Sequence, residues 1–378
     1  MKNFLRELAH YRRFKKKTLE EDKKIVFYAE HAGYYPNYEG IIEELTTQKK
    51  QTICYISSDP EDPIFKTDNP RIKPFYIKKL IAFLMAFIKC RVFVMTLTDL
   101  NQLHLRRSIN SVHYVYVYHA MVSTHMMYLP GAFDHYDSIL CVGNHQVDEL
   151  RKYEEMKGLP QKQLVEGGYY RLERIYNKYK KYLHTTSTER TGTTVLIAPS
   201  WGKGNVLESF GDELVAMLLD KNLNVIVRPH PETVKRTPEL LNAIEEKYGD
   251  NDALTIEKSV ATDDSLLKSD VLICDCSGIA LEYAFGTERP VLFLDVPRKI
   301  RNENYQELGM EPIELSLRSD LGILVSPEDL ATVPDKIEIL ISEKKKYIER
   351  IALLRKKYVY SFGRSSQVGA EHILDLLK

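Results

Sequence analysis

Neither sign of charge prevails in this sequence. Its 53 Lys and Arg residues are matched by 53 Asp and Glu, so no global positive potential draws it to nucleic acid. Cysteine is sparse. The five copies (Cys54, Cys90, Cys141, Cys274, Cys276) are odd in number and scattered, four of them in or beside apolar runs. The Cys274-Asp275-Cys276 spacing is not a zinc pattern, so reduced, buried thiols of a cytosolic protein are expected in place of disulfides or a metal site. No metal constellation stands out elsewhere, and Asp263-Asp264 reads as an N-cap before a helical pattern. Long apolar runs are missing too: Leu80 to Ile88 is the longest and falls short of a bilayer span. The first twenty residues contain no apolar h-region, so no cleavable signal peptide is expected. GxGxxG, the Walker lysine pattern, the GxSxG elbow and a Ser-His-Asp order are absent, which removes the simplest routes to a dinucleotide, P-loop or serine-hydrolase reading.

What the sequence does contain is alternation. Its 378 residues, 44% of them hydrophobic, suffice for two cores. Strand patterns at Ile25–Ala29, Gln51–Ser57, Val92–Met95, Val112–Tyr118, Asp137–Val142 and Leu164–Gly168 alternate with helical ones at Tyr38–Leu45, Ile77–Lys89 and Asn144–Lys157. The polar run His184–Thr194 breaks the periodicity and marks a domain boundary. A second alternating series follows, with strands at Val195–Ala198, Val225–Val227, Leu254–Glu257, Val271–Cys274 and Val291–Leu294. This predicts an α/β fold of two doubly wound parallel sheets, Rossmann-like, facing a cleft lined by strand carboxyl ends. The expected division is an N-terminal domain over 1–188 with a basic opening segment to about 22, a second domain over 189–345, and C-terminal helices over 346–378.

The stretch Ser269–Asp295 concentrates the signal. It reads as strand, small-residue turn (Asp275-Cys276-Ser277-Gly278), helix and strand. A helix opening at Ser277-Gly278 aims free N–H groups at whatever lies beyond the strand, which suits a phosphate; an ordinary βαβ crossover reads the same way. Two further strand-end turns carry chemistry. Pro199-Ser200-Trp201-Gly202-Lys203-Gly204 offers glycines for close approach and a lysine charge. In Arg228-Pro229-His230-Pro231 a histidine held between prolines suits proton transfer or a fixed hydrogen bond, and a plain strand terminator is the alternative. Glu282, five residues after Ser277, stands where a carboxylate takes ribose hydroxyls, or is a surface glutamate near a helix start.

In the first half His119 ends the apolar strand Tyr114–Tyr118, a reasonable place for a general base. His31 and Gly33 border the same cleft on this reading, whereas His104, His125 and His135 read as loop or core residues. The basic opening (Arg12, Arg13, Lys15, Lys16, Lys17) and the lysines flanking Leu80–Ile88 read either as an anionic-membrane surface or as solvated helix ends.

Taken together, Pro199-Ser-Trp, Arg228-Pro-His-Pro, Ser269-Asp-Val-Leu-Ile-Cys-Asp-Cys-Ser-Gly-Ile-Ala-Leu-Glu-Tyr-Ala and Arg289-Pro-Val-Leu-Phe-Leu-Asp resemble the C-terminal half of the CDP-glycerol glycerophosphotransferases, the teichoic-acid primases and polymerases. The likeness runs from Val195 to Lys378 in order and spacing. It implies a GT-B fold whose C-terminal helix returns to the first domain, and transfer of glycerol- or ribitol-phosphate from a CDP-alditol to a hydroxyl on a lipid-linked or polymeric glycan at the inner face of the membrane. It implies catalytic roles for His119 and His230, a donor-phosphate turn at Cys276, Ser277 and Gly278, and a ribose contact at Glu282. Ser200, Lys203, Arg228, Ser365 and Ser366 complete the expected donor pocket, and neither cofactor nor metal is called for. The Tyr118-His119-Ala120 context departs from the family's Trp-His-Gly, and Cys276-Ser277-Gly278 is also similar to the turn of UDP-sugar epimerases and related glycosyltransferases. A nucleotide-sugar glycosyltransferase is therefore the second expectation, with a non-catalytic nucleotide- or glycan-binding module as a third.

Overall fold

The computed structural model describes residues 2–98, 100–102, 105–185, 192–258 and 262–378. His104, Asp99 and the middle of the polar run lie outside the described residues. Among the described residues thirteen strands form two sheets, each parallel throughout. The first sheet contains β1 (Ile25–Ala29), β2 (Ile53–Ser57), β3 (Ile72–Tyr76), β4 (Val92–Met95), β5 (His113–Val117), β6 (Ser138–Leu140) and β7 (Gln163–Val165), in the order β3-β2-β1-β4-β5-β6-β7. The second contains β8 (Thr194–Ile197), β9 (Asn224–Val227), β10 (Leu254–Ile256), β11 (Val271–Cys274), β12 (Val291–Leu294) and β13 (Gly322–Val325), in the order β10-β9-β8-β11-β12-β13. Every residue of β1, β2, β4, β8, β11 and β12 is buried. Strands covered by helices on both faces need apolar residues at every position, which is why these read as continuous runs without alternation.

Both sheets reverse their winding beside their first strand. In the first, β1 lies between β2 and β4; in the second, β8 lies between β9 and β11. Loops leaving the carboxyl ends of strands on either side of such a reversal diverge and open a crevice, the usual ligand position in doubly wound folds.

Two edge strands escape the periodicity. β3 carries Lys73 and Pro74, tolerable only where a strand has one neighbour to bond, and β13 is a short, half-exposed edge. The expected helix at Ile77–Lys89 is helical only over Ile81–Phe87. The turn before it is held instead by Glu7, whose Oε1 accepts from the N–H groups of Lys78 (2.8 Å) and Leu80 (2.7 Å).

The chain divides into two compact units. One comprises 1–119, 128–171 and 358–378; the other comprises 120–127 and 172–357. The helix Tyr170–Thr185 therefore joins the second unit from Leu172 onward, ahead of the polar run. Its residues explain this: Ile175 packs where a side chain on Gly286 would collide, and Arg174 and Lys178 reach Asp263 at 3.2 and 2.9 Å. Asp263 is thus an ion-pair anchor and makes no side-chain cap on the helix Asp264–Lys268. The first unit is completed by the final helix, Ser365–Asp375, whose Ala370 and Ile373 enter the core with Phe27, Tyr38, Ile41 and Val94.

Candidate active site

In the second unit the winding reversal is locked by one carboxylate. Asp275, just beyond β11, accepts from the Ser200 N–H (2.9 Å) and from the Ser200 hydroxyl (2.8 Å) beyond β8. Burial pushes the Asp275 carboxyl up, and the two Ser200 donors favour its charged form. The chain then turns through Trp201–Gly204, where Gly202 (φ +116°) and Gly204 (φ +75°) occupy backbone conformations that strain any L side chain. Lys203 is exposed between them.

Beyond β9 the Pro-His-Pro geometry has a clear local logic. Pro231 occupies the first turn of the helix Pro231–Arg236, where no N–H is needed, and His230 caps it, Nδ1 accepting from the Glu232 N–H at 3.1 Å. A nitrogen that accepts carries no proton, so His230 presents an N–H at Nε2. Burial first, and then the ammonium of Lys299, lower its pKa to about 4. His230 is therefore a neutral hydrogen-bond donor at pH 7. Its ring lies 6.0 Å from that of Trp201.

Beyond β11, Ser277 stands in extended conformation at the start of the helix Gly278–Thr287, and its hydroxyl makes no capping bond. Gly278 is demanded by packing: a Cβ there would sit 2.9 Å from Val122 Cγ1, because the segment Ala120–Met127 lies against this turn. Glu282 is only 5% exposed, one turn into the helix.

Four expected donor residues are placed otherwise. Arg228 is buried, its guanidinium donating to Ser265 Oγ (2.7 Å) beside Glu257 (3.8 Å), so it ties β9 to the helix Asp264–Lys268. Cys276 is buried with Met126, Tyr305 and Leu315, an apolar setting that pushes its thiol up. Ser365 and Ser366 belong to the first unit, where they pack on Gly168 and Gly40. The glycines there let the last helix approach. Ser200 is retained in the site, with its hydroxyl given to Asp275.

The first unit holds a second cluster, again at its winding reversal. His119, two residues beyond β5, has Nδ1 2.8 Å from Thr96 Oγ1 at the end of β4. The Tyr34 ring meets the His119 ring edge-on at 5.6 Å and stacks on His31 at 4.2 Å, while Tyr128 closes the other side at 6.2 Å. His31 Nδ1 accepts from the Gly33 N–H at 3.1 Å, fixing the turn after β1. His31, Gly33 and His119 are thus gathered through Tyr34. His125 is a core residue, buried with Nε2 3.1 Å from the Met310 carbonyl.

The family model for CDP-glycerol:poly(glycerophosphate) glycerophosphotransferase matches residues 9–300. The chain belongs to this family. No curated protein sequence matches it. Among solved structures it is similar to the wall teichoic acid polymerase TagF, at 16% identity and a TM-score of 0.63, covering 100% of this chain and 98% of that one. A TagF variant after a 30-minute CDPG soak gives 17% identity and 0.62, covering 100% and 99%. The UDP-GlcNAc 2-epimerase of Methanocaldococcus jannaschii, solved with UDP-GlcNAc and UDP, gives 14% identity and 0.59, covering 94% and 99%. These likenesses establish the expected fold, two Rossmann-like units of GT-B type. The chain is accordingly a glycerophosphotransferase, an enzyme of the CDP-glycerol-dependent class.

For this glycerophosphotransferase the structure also brings forward residues that motif reading passed over. Thr96 and Tyr34 orient His119, and Lys299 joins His230 and Trp201. Thr96 is recognisable as the first polar residue after an apolar strand beside the winding reversal. Lys299 follows β12 by five residues, and only the strand order places that loop near β11.

Proposed function

We propose that the enzyme moves an alditol-phosphate, glycerol-phosphate or ribitol-phosphate, from a CDP-alditol to a hydroxyl of a teichoic-acid-like glycan and releases CMP. The observation that carries the reading is the arrangement beyond β8, β9 and β11. There Asp275 locks Ser200, His230 offers an N–H, and the Ser277 hydroxyl and the helix start beside it are left for a phosphate. The acceptor oxygen attacks the β-phosphorus, a new O–P bond forms, the P–O bond to CMP breaks, and the acceptor proton must leave. His119 takes that proton. In the tautomer in which Nδ1–H donates to Thr96 Oγ1, Nε2 keeps a lone pair to take it. His230 Nε2–H and Ser277 stabilise the transferring phosphoryl and the departing CMP, and Glu282 contacts the ribose. This scheme calls for no cofactor.

The test is a donor panel. CDP-glycerol and CDP-ribitol are offered beside UDP-sugars with a glycan acceptor, and CMP or UDP release is measured. CMP release that depends on acceptor supports the reading. UDP release would replace it with a nucleotide-sugar glycosyltransferase, turnover without acceptor with an epimerase, and tight binding without turnover with a non-catalytic module.

We place the enzyme at the inner membrane face. Among the described residues no helix is long and apolar enough to cross a membrane. The Phe83 (56% exposed) and Phe87 (40% exposed) rings meet at a tilt with centroids 5.0 Å apart, and Tyr11 lies 6.2 Å from Phe83. Lys15 bonds the Phe87 carbonyl, and Lys78, Lys79 and Lys89 flank the helix. Exposed rings framed by cations suit an anionic lipid surface. Sedimentation with phosphatidylglycerol vesicles that is lost in Phe83→Ser/Phe87→Ser supports this, and equal sedimentation of both proteins would sink it.

A further inference from the structure

The donor site as drawn so far lacks a cation. Arg228 is committed to Ser265 and Glu257, His230 is a neutral N–H donor, and Lys203 stands exposed on a glycine-flanked turn. A diphosphate brought out of water into a half-buried place needs compensating positive charge. The loop after β12, Val296-Pro297-Arg298-Lys299-Ile300-Arg301, supplies one in an unusual posture. Lys299 is half-buried, with Nζ 3.9 Å from the centroid of the Trp201 ring. The Arg236 guanidinium lies 5.0 Å from the same ring, and the His230 ring 6.0 Å from it. Asp275 and Glu232 are the acids whose field reaches Lys299, yet among the described residues neither is within ion-pair distance of it. Asp275 is bound by Ser200, and Glu232 is paired with Arg236 at 2.6 Å.

We propose that Lys299, parked on the face of Trp201, is the fixed cation of a diphosphate subsite formed with His230 Nε2–H and Ser277. Among the described residues no carboxylate is within ion-pair distance of the ammonium, and the indole face it rests on is a weak substitute for an anion. Burial first, and then the nearby Arg301, lower the Lys299 pKa to about 8, against the opposing pull of Asp275 and Glu232. An arriving diphosphate removes that penalty, and Lys299 exchanges the ring for phosphate oxygens. The subsite deepens the proposed function, since it rests on reading this unit as the donor half, and it assigns recognition of the diphosphate to a residue outside the three motif turns. Its ligand class is the diphosphate of a nucleoside-diphosphate-linked donor.

Trp201 is the single tryptophan of the chain, so its emission reports this place and no other. In the full-length protein, CDP-glycerol, CDP and inorganic pyrophosphate are expected to change Trp201 emission, whereas cytidine is not. Lys299→Met is expected to weaken CDP-glycerol and CDP binding, measured by calorimetry, by roughly 10- to 100-fold, the range for losing a charged hydrogen-bond partner. Lys299→Arg recovers most of it. Cytidine affinity and thermal midpoint stay unchanged in both, which a merely structural lysine would not give. Wild-type affinity for CDP-glycerol in Lys299→Met overturns the proposal while leaving the donor reading intact. Lys299-dependent binding of pyrophosphate with no turnover of any CDP-alditol overturns the donor reading and keeps the subsite. Emission unchanged by every diphosphate overturns both.

Discussion

Acid should loosen the last helix through titration of the buried imidazole of His372. Ser138 Oγ, on β6, lies 2.9 Å from His113 Nε2 and 2.9 Å from His372 Nε2. A hydroxyl has one proton, so it donates to one ring and accepts from the other, and the relay works while the accepting ring is neutral. His372 is buried on the helix Ser365–Asp375. Burial first, and then His113, lower its pKa from 6.5 to about 4. Above pH 6.5 neither the closed nor the open state binds this proton, and the contribution to stability is flat. Below 6.5 the open state takes up a proton that the closed state refuses, so stability falls and levels off below about 4. At 1.36 kcal/mol per unit the loss is about 2 kcal/mol at pH 5, some 30-fold in the opening equilibrium. Hydrogen exchange of amides 365–375, corrected for intrinsic rates, reads that equilibrium. His372→Gln keeps a polar partner for Ser138 and removes the titration, so its protection is expected to be about 30-fold less pH-dependent between 7.5 and 5. Parallel pH profiles for the two proteins would refute the reasoning.

Other expectations separate chemistry from scaffolding. His119→Ala and His230→Ala should each lower the rate of transfer about 10²- to 10⁴-fold with circular dichroism unchanged; substantial activity in either purified variant removes that residue from the mechanism. Arg228→Ala should behave in the opposite way, losing about 1–3 kcal/mol in chemical denaturation because Ser265 is left unpaired, with donor KM nearly unaltered. Gly278→Ala should raise donor KM several-fold through its contact with Val122, and Gly278→Ala/Val122→Ala should restore it; a double variant no better than the single one would show that the turn, not the contact, is at fault.

Much of this architecture was legible in the residues. The all-buried strands announce themselves as apolar runs, and the turns at Ser200, His230 and Ser277 stand out because strand-end loops must combine glycine, proline and polar residues. Arg228, Cys276, Ser365 and Ser366 have protein contacts that their motif positions did not announce, for one shared reason. Motif position fixes where a backbone goes, but whether a side chain faces ligand or core depends on partners distant in sequence, such as Ser265 for Arg228 and Gly40 for Ser366. Lys299 was missed for the converse reason. Nothing adjacent to it in sequence marks it, and only the neighbouring of β11 and β12 brings it to Trp201. The ion pairs of Asp263 were likewise invisible, since Arg174 and Lys178 lie some ninety residues upstream.

The final twenty-one residues have a meaning for biogenesis as well as for packing. The first unit is assembled from three separate pieces of chain, 1–119, 128–171 and 358–378, and its core is unfinished until Ala370 and Ile373 arrive. On the ribosome the order of completion is therefore inverted. The unit that contributes residues 1–119 is closed only by 358–378, after 172–357 of the second unit has been synthesised. A product cut short near residue 357 would carry an intact-looking second unit joined to a unit with an open core, a form exposed to proteolysis.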